Sequence, residues 1–289
     1  MTPRPEEQRS RLGAVGLVLG GVVSVQIGAA VAFTLFDDLG PSGAVLLRVG
    51  LAALILAAVW RPAIRGLTAM QLRDVAMFGA VLAAMNLSFY ESLDRIPLGI
   101  AVTLEFVGPL GVAVIGSRRR IDLLWVALAA AGIVLLAPAS GGDIDTLGVL
   151  LALLAGTFWA GYIVMAARIG RSFDGQGGLA LAMVVGTVLL IPVGFGGAID
   201  AFGELELLAA GLGAALLSSA IPYSLELEAL RTLPESTFGV LMSLEPAVAA
   251  TVGFVGLDQD LAATDIVAIA LVVVASAGAL RTAPPPAEA

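Results

Sequence analysis

The sequence predicts an all-α integral membrane protein whose ten transmembrane helices form two inverted repeats of five helices each. Three observations lead to this fold class: the composition, the one-sided placement of arginine, and an internal repeat. Of the 289 residues, 59% are hydrophobic and 13% are charged, and the mean hydropathy is +1.00. Soluble domains carry about 25% charged residues, so most of this chain is suited to lipid rather than to water.

Cutting the chain at proline, glycine and charged clusters gives apolar segments, most of about 17 to 23 residues. At about 1.5 Å per residue, such a helix crosses a hydrocarbon core of about 30 Å. In chain order, the predicted spans are 13–35, 42–60, 74–92, 98–116, 121–137, 147–166, 177–197, 207–229, 236–255 and 264–281. A signal peptide competes for the first span, because Ala30-Val31-Ala32 resembles a cleavage site, but the apolar run exceeds the roughly 7 to 15 residues of a signal sequence.

The connections between the spans carry charge of opposite sign on the two sides of the membrane. If the amino terminus is cytoplasmic, the inner segments hold Arg4, Arg9, Arg11, Arg61, Arg65, Arg73, Arg118, Arg119, Arg120, Arg168, Arg171, Arg231 and Arg281. The outer loops carry Asp37, Asp38, Asp143, Asp145, Asp200, Glu204, Glu206, Asp258, Asp260 and Asp265. This bias predicts that both tails, 1–11 and 282–289, are cytoplasmic, because arginine-rich connections stay on the inner side.

An internal repeat divides the chain into two halves. The stretch from Glu91 to Pro109 recurs from Glu228 to Pro246, with glutamate, leucine and proline in matching places. The glycines near 141 mark the boundary, which gives repeats 12–140 and 141–281. Five spans is an odd number, so the second repeat enters the membrane upside down. Inverted repeats are the architecture of secondary transporters, whose binding site lies at the midplane between the repeats.

Two glutamates, Glu105 and Glu245, fall near the middle of the fourth and ninth spans, and Pro109 and Pro246 follow them. A charge at a helix centre costs about 2.5 to 3.5 kcal/mol, so each needs a reason. A buried carboxyl group can exchange a proton for a cationic ligand, and a proline leaves a backbone carbonyl free for a ligand. The structural alternative is that these acids lock the repeats together. Arg48 could pair with an acid, bind a substrate carboxylate, or reach outward to the interface.

Further candidate residues are polar, aromatic or helix-breaking. The polar and aromatic candidates lie on spans one, three, six and eight and are Gln26, Asn86, Tyr90, Glu91, Trp159, Tyr223 and Glu226. The helix-breaking candidates are Pro97, Pro222 and Pro234. Asn86 and Tyr223 match in the repeat, as do the first and sixth spans that carry Gln26 and Trp159. The serines of spans three and eight are interpreted as interhelical hydrogen bonds, and Trp159 as packing.

The composition excludes several kinds of chemistry. Without cysteine or histidine, the sequence predicts no soft-metal site and no cofactor besides a proton gradient. Without lysine there is no phosphate-binding loop for ATP, and there is no basic surface for nucleic acid. The pair Asp37-Asp38 lacks the second acidic cluster that a magnesium-diphosphate enzyme needs. We therefore predict that the protein is not an enzyme.

Five sequence stretches carry a resemblance to a known family. They are Leu47-Arg48, FYESLDRIPLGIAVTLEFVGPL at 89–110, SRRR at 117–120, SSAIPYSLELEALRTLP at 218–234 and FGVLMSLEPAVAA at 238–250. With them, the chain resembles the drug/metabolite transporter superfamily with two EamA repeats, and within it the threonine/homoserine exporter-like group. One departure is Leu257-Asp258-Gln259-Asp260-Leu261, where the family has Leu-Gly-Glu-x-Leu, which puts the role of that acid in doubt.

The resemblance implies an inner-membrane exporter of small amino acids that exchanges them for protons through a cavity lined by spans 1, 3, 4, 6, 8 and 9. Its expected partners are a small-molecule substrate and the lipid bilayer, and the oligomeric state stays open, a monomer included. Relatives carry aromatic amino acids, drugs or other metabolites, so the fold does not settle the substrate. The alternative of another class is a non-transporting membrane assembly subunit.

Overall fold

All regular secondary structure in the part of the chain that the structure describes is helical. This part of the computed structural model comprises residues 5–62, 64, 66–116, 121–136, 145–173, 177–222, 225, 229, 238 and 241–282. The helices are α1 Pro5–Phe33, α2 Phe36–Trp60, α3 Ala69–Leu93, α4 Leu98–Glu105, α5 Val107–Gly116, α6 Asp122–Leu136, α7 Thr146–Ser172, α8 Gly177–Ala198, α9 Leu205–Ala215, α10 Glu245–Gly256 and α11 Ala263–Thr282. A 3-10 turn, Asp200–Gly203, precedes α9, and a π-helical segment, Leu216–Ala220, continues it.

The helices agree with the predicted spans. Five stretches are long and apolar enough to cross a membrane, namely Leu12–Phe33, Phe36–Trp60, Ala69–Leu93, Thr146–Ser172 and Gly177–Ala198. Shorter apolar helices occupy the other predicted spans, of which the eighth and ninth are described only in part. The all-helical membrane fold is therefore confirmed, and ten spans are consistent with it.

The outer surface of the bundle is apolar. Leu54, Leu123 and Val134 are 68%, 71% and 71% exposed, respectively. Contiguous exposed apolar surface of this kind is rare on soluble proteins, so it marks the part of the molecule that faces lipid.

Small residues let the helices approach backbone to backbone. A Cβ atom at Gly194 or Gly197 of α8 would collide with a backbone carbonyl oxygen of α2, at Ser42 and Leu39 respectively. Such close approach is typical of membrane helix interfaces, which lack a hydrophobic driving force and depend on packing. The main packing partners are α2 with α8, α3 with both α7 and α8, α6 with α11, and α4 with α10, and α1 packs on α9 and its π-helical continuation.

The connection between α10 and α11 closes over the start of α4. The backbone N–H of Leu98 donates to Oε1 of Gln259 at 2.9 Å, which satisfies one of the free N–H groups at this helix end. Asp258 has a φ of 51°, a left-handed conformation that glycine adopts freely and aspartate tolerates. Gln259 therefore supplies an acceptor oxygen where the family pattern has glutamate, and the negative charge of that glutamate is not needed for this contact.

Candidate functional site

The fourth predicted span is broken immediately after Glu105. α4 ends at Glu105 and α5 begins at Val107. Pro109 has no N–H to donate to the carbonyl of Glu105, so the helical hydrogen-bond pattern is interrupted at this place. The carbonyl instead points at α7, where Gly156 leaves room for it: a Cβ atom at Gly156 would lie 2.5 Å from that oxygen. The break thus follows from a proline on one helix and a glycine on its neighbour.

The ninth predicted span has a matching interruption. Residues 243 and 244 form a turn, and α10 begins at Glu245. Pro246 occupies the first turn of α10, where a missing N–H costs nothing and the fixed φ favours the helix. Glu105 and Glu245, which are 9% and 5% exposed, therefore sit at the end of one helix and the start of another.

Both acids line one cavity of about 370 Å³ between the two halves of the chain. Ligand sites of about 300 to 1,000 Å³ are typical of small-molecule binding proteins. Its walls are Val25, Gln26, Ala29, Arg48, Leu82, Met85, Asn86, Phe89, Tyr90, Val102, Glu105, Phe106, Pro109, Leu110, Trp159, Tyr162, Ile163, Met183, Ser218, Ser219, Pro222, Phe238, Met242, Glu245 and Ser276. Spans 1, 3, 4, 6, 8 and 9 all contribute, as the resemblance implied, and single residues of spans 2, 7 and 10 join them.

Arg48 is held inside this cavity by α3. Its Nη2 donates to Oδ1 of Asn86, whose Nδ2 in turn donates to the carbonyl of Leu82 at 2.8 Å. The guanidinium carbon lies 5.1 Å from the centre of the Tyr90 ring, within the range of a cation–π contact. Arg48 is only 7% exposed, so it does not reach outward to the interface. Of the alternatives open from the sequence, this one is wrong.

Arg48 and Glu105 line the same cavity. The ion pairs found among the described residues, however, join Asp74 to Arg73 and to Arg168, at the opposite end of α3 from Tyr90. A cation and an acid therefore share the cavity without forming an ion pair, and this charge pattern complements a zwitterionic ligand.

Several polar atoms on the cavity wall are buried and lack a hydrogen-bond partner within the described ranges. They are Gln26 Oε1, Arg48 Nε, Tyr90 OH, Ser218 Oγ and Ser276 Oγ. Buried polar groups are nearly always paired, because leaving them unpaired costs free energy. These residues bring polar groups close to the cavity, although the atoms themselves are closed off from it in this structure.

Not every candidate residue of the sequence reaches this cavity. Glu91 is half-buried near the end of α3 and is not part of the wall, and Pro97 precedes the first residue of α4. Tyr223, Glu226 and Pro234 lie outside the described residues. Pro109 and Pro222 line the cavity, and Pro246 adjoins Glu245.

The Trp159 ring both packs and lines the cavity. It meets Phe106 edge to face, with ring centres 5.3 Å apart and an interplanar angle of 85°. The sequence interpretation of Trp159 as packing therefore describes one of its two contacts. Within the residues that the structure describes, no cluster of three acidic, histidine or cysteine residues could hold a metal ion.

Comparison with known proteins identifies the family. Residues 146–281 match the EamA-like transporter family. Threonine/homoserine exporter RhtA of Salmonella typhimurium is 40% identical over 269 residues, covering 92% of this chain and 90% of the relative. The chain belongs to the EamA-like transporter family.

Other similar proteins agree with this assignment. Threonine/homoserine exporter RhtA of Escherichia coli K12 is 39% identical to this EamA-like transporter, over the same shares of the two chains. A solved crystal structure at 17% identity covers 95% of this chain and 98% of its own, with a TM-score of 0.56, which shows a common fold. The resemblance predicted from the sequence motifs is confirmed, and the protein is a transporter rather than an enzyme.

Proposed function

We propose that the protein is an inner-membrane secondary transporter that exports small amino acids of the threonine and homoserine type in exchange for protons. The observation that carries this proposal is that the buried Arg48 shares its cavity with Glu105 and Glu245. An amino acid carries a carboxylate and an ammonium group, so it complements a site with both signs of charge. The names of the relatives point to the same class of substrate.

In this proposal Arg48 binds the substrate carboxylate. Its contacts with Asn86 and Tyr90 fix the guanidinium plane, and its Nε–H has no partner among the residues that the structure describes. A fixed guanidinium donates well-directed, charge-assisted hydrogen bonds, which are stronger than those between neutral groups.

The two acids take the ammonium group and the proton. A carboxylate out of water needs either a proton or a cation beside it, because an uncompensated charge in a low-dielectric site is costly. If substrate and proton compete for the same carboxylates, the binding of one releases the other. That competition couples export to the proton gradient.

The arrangement of helix pairs supports a two-fold relation between the two halves, which an inverted repeat requires. A repeat of five spans relates each span of the first half to the span five places later. This relation maps the α3–α7 pair onto the pair formed by α9 and α1. It maps the pairs α2–α8, α4–α10 and α6–α11 onto themselves. All of these pairs pack together. The distribution of arginine then gives the orientation.

Export requires the cavity to open to each side in turn. At the proposed outer end, α4 packs tightly on α10: a Cβ atom at Gly99 would lie 2.6 Å from the Cα of Ala250. The hydrogen bond from Leu98 to Gln259 joins the same two regions. We expect this seam, defined by Leu98, Gly99, Ala250, Gly253 and Gln259, to separate when the cavity opens outward.

The test is threonine efflux from proteoliposomes driven by a pH gradient. Glu105→Gln and Glu245→Gln should each abolish the pH-driven component while the purified protein keeps its elution profile. Glu91→Gln is the matched control, because Glu91 is a half-buried acid of α3 that lies outside the cavity wall, and it should retain coupled efflux. Normal coupled efflux in both cavity variants would refute the site, and efflux of phenylalanine without threonine would redirect the substrate assignment.

A further inference from the structure

The groups that hold Arg48 in the cavity are uncharged. Its Nη2 donates to Oδ1 of Asn86, and its guanidinium carbon lies 5.1 Å from the centre of the Tyr90 ring. All three side chains line the cavity. An amide and a phenol are both neutral at pH 7. These two contacts therefore fix the guanidinium without cancelling its positive charge.

Both polar atoms of the Asn86 side chain are already used in this arrangement. Its Oδ1 accepts from Arg48, and its Nδ2 donates to the carbonyl of Leu82 at 2.8 Å. The bond to Leu82 lies within α3 and fixes which end of the amide faces Arg48. Turned end for end, the amide would present N–H groups to a guanidinium that has only N–H donors. Asn86 thus acts by positioning Arg48 rather than by binding a ligand itself.

The contact between Arg168 and Asp74 is built differently. Asp74 is 3% exposed, and its Oδ2 lies 2.7 Å from Nε of Arg168, whose side chain is 41% exposed. A buried charge is costly unless an opposite charge compensates it. Arg48, at 7% exposure, is more deeply buried than Arg168, yet an amide stands where the other arginine has a carboxylate. A carboxylate on a ligand can supply this negative charge.

We propose that Asn86 is the positioning residue that makes the cavity select ligands with a carboxylate. Its neutral amide holds the guanidinium of Arg48 and leaves the positive charge to be matched by the ligand. This inference rests on the proposed amino-acid export and names the residue that separates amino acids from amines of similar shape. A carboxylate at position 86 would instead match the charge of Arg48 from within the protein.

Threonine and threoninol are the probes, because threoninol has a hydroxymethyl group in place of the carboxylate and keeps the ammonium group. The measurement is the Kd of each by calorimetry with the purified protein in detergent. The wild type should bind threonine at least about tenfold more tightly than threoninol. Asn86→Asp should weaken threonine binding about 10- to 150-fold and leave the Kd of threoninol within about threefold. A purely structural role of Asn86 would weaken the binding of both ligands alike.

Two further variants separate charge from position. Asn86→Gln keeps a neutral amide, so it should retain more of the preference for threonine than Asn86→Asp does. Asn86→Ala removes the acceptor without adding a charge, so it should reduce the preference by a smaller factor than Asn86→Asp. It also tests the positioning role if the acidic variant does not fold.

Gln71 provides a matched control on the same helix. Its Nε2 donates to the carbonyl of Ser172 at 2.9 Å, and Gln71 is not on the cavity wall. Gln71→Glu makes the same change from amide to carboxylate on α3. It should leave the preference for threonine over threoninol unchanged.

The outcomes separate this inference from the proposed function. A protein that exports threonine and keeps its preference in Asn86→Asp and Asn86→Ala would overturn the role of Asn86 and leave amino-acid export standing. An equal loss of preference in Gln71→Glu, or a wild type that binds threonine and threoninol equally, would also overturn it. A wild type that exports no amino acid would overturn both.

Discussion

Arg48→Lys should weaken threonine binding while keeping the positive charge in the cavity. The native guanidinium donates Nη2 to Asn86 and lies 5.1 Å from the Tyr90 ring centre, with Nε–H free of partners among the described residues. Lysine has a single nitrogen, so it cannot keep the Asn86 contact and also present the guanidinium fork to a carboxylate. The loss of one charge-assisted hydrogen bond is worth about 1.5 to 3 kcal/mol. At about 1.4 kcal/mol per tenfold change, threonine binding should weaken about 10- to 150-fold.

The assay is the concentration dependence of threonine efflux from proteoliposomes, which separates KM from the maximal rate. We expect a higher KM with a smaller change in maximal rate, as for an interaction that serves binding. Arg168→Lys is the control, because Arg168 pairs with Asp74 outside the cavity, and its KM should stay within about twofold of the wild type. A folded Arg48→Lys protein with an unchanged KM would show that Arg48 does not bind the carboxylate.

Three further predictions concern opening and stability. A Leu98→Cys/Gly253→Cys pair has a Cβ separation of 3.6 Å, within the roughly 3.5 to 4.5 Å of a disulfide, and the chain has no cysteine of its own. Oxidation should stop threonine efflux and a reductant should restore it; efflux through fully cross-linked protein would refute opening at the seam. Gly156→Ala should lower the free energy of unfolding by about 1 to 3 kcal/mol through overpacking. Gly111→Ala should leave it unchanged, because no atom lies within 4 Å of the added Cβ. Equal thermal stability of the two variants would contradict this. Asp74→Ala should lower the free energy of unfolding by about 1 to 2 kcal/mol, because it removes the 2.7 Å bond between the buried carboxylate and the half-exposed Arg168. An unchanged Tm in detergent would contradict this.

The helical content and the breaks beside the two acids could be predicted from the sequence. Length and hydropathy locate the spans because the lipid core imposes a minimum helix length. The prolines mark the interruptions because they remove a local hydrogen bond, which depends on neighbours in the chain alone. Their positions within the spans predict that Glu105 and Glu245 lie at mid-depth, and the structure brings both to one cavity.

Features that depend on contacts between distant helices could not be predicted. The room for the Glu105 carbonyl depends on Gly156 of α7, and the orientation of Arg48 depends on Asn86 of α3. A single serine in an apolar helix usually indicates packing, so Ser276 gave no signal from the sequence. The place of Glu91 in the repeat predicts a residue of the site, but the fold leaves Glu91 outside the cavity wall.

A structure of the protein with threonine bound would show how the cavity holds its substrate. The threonine carboxylate should lie within hydrogen-bond distance of the Arg48 guanidinium, and its ammonium group should lie beside Glu105 or Glu245. Threonine bound elsewhere, or bound in the cavity with its ammonium group away from both glutamates, would contradict this arrangement.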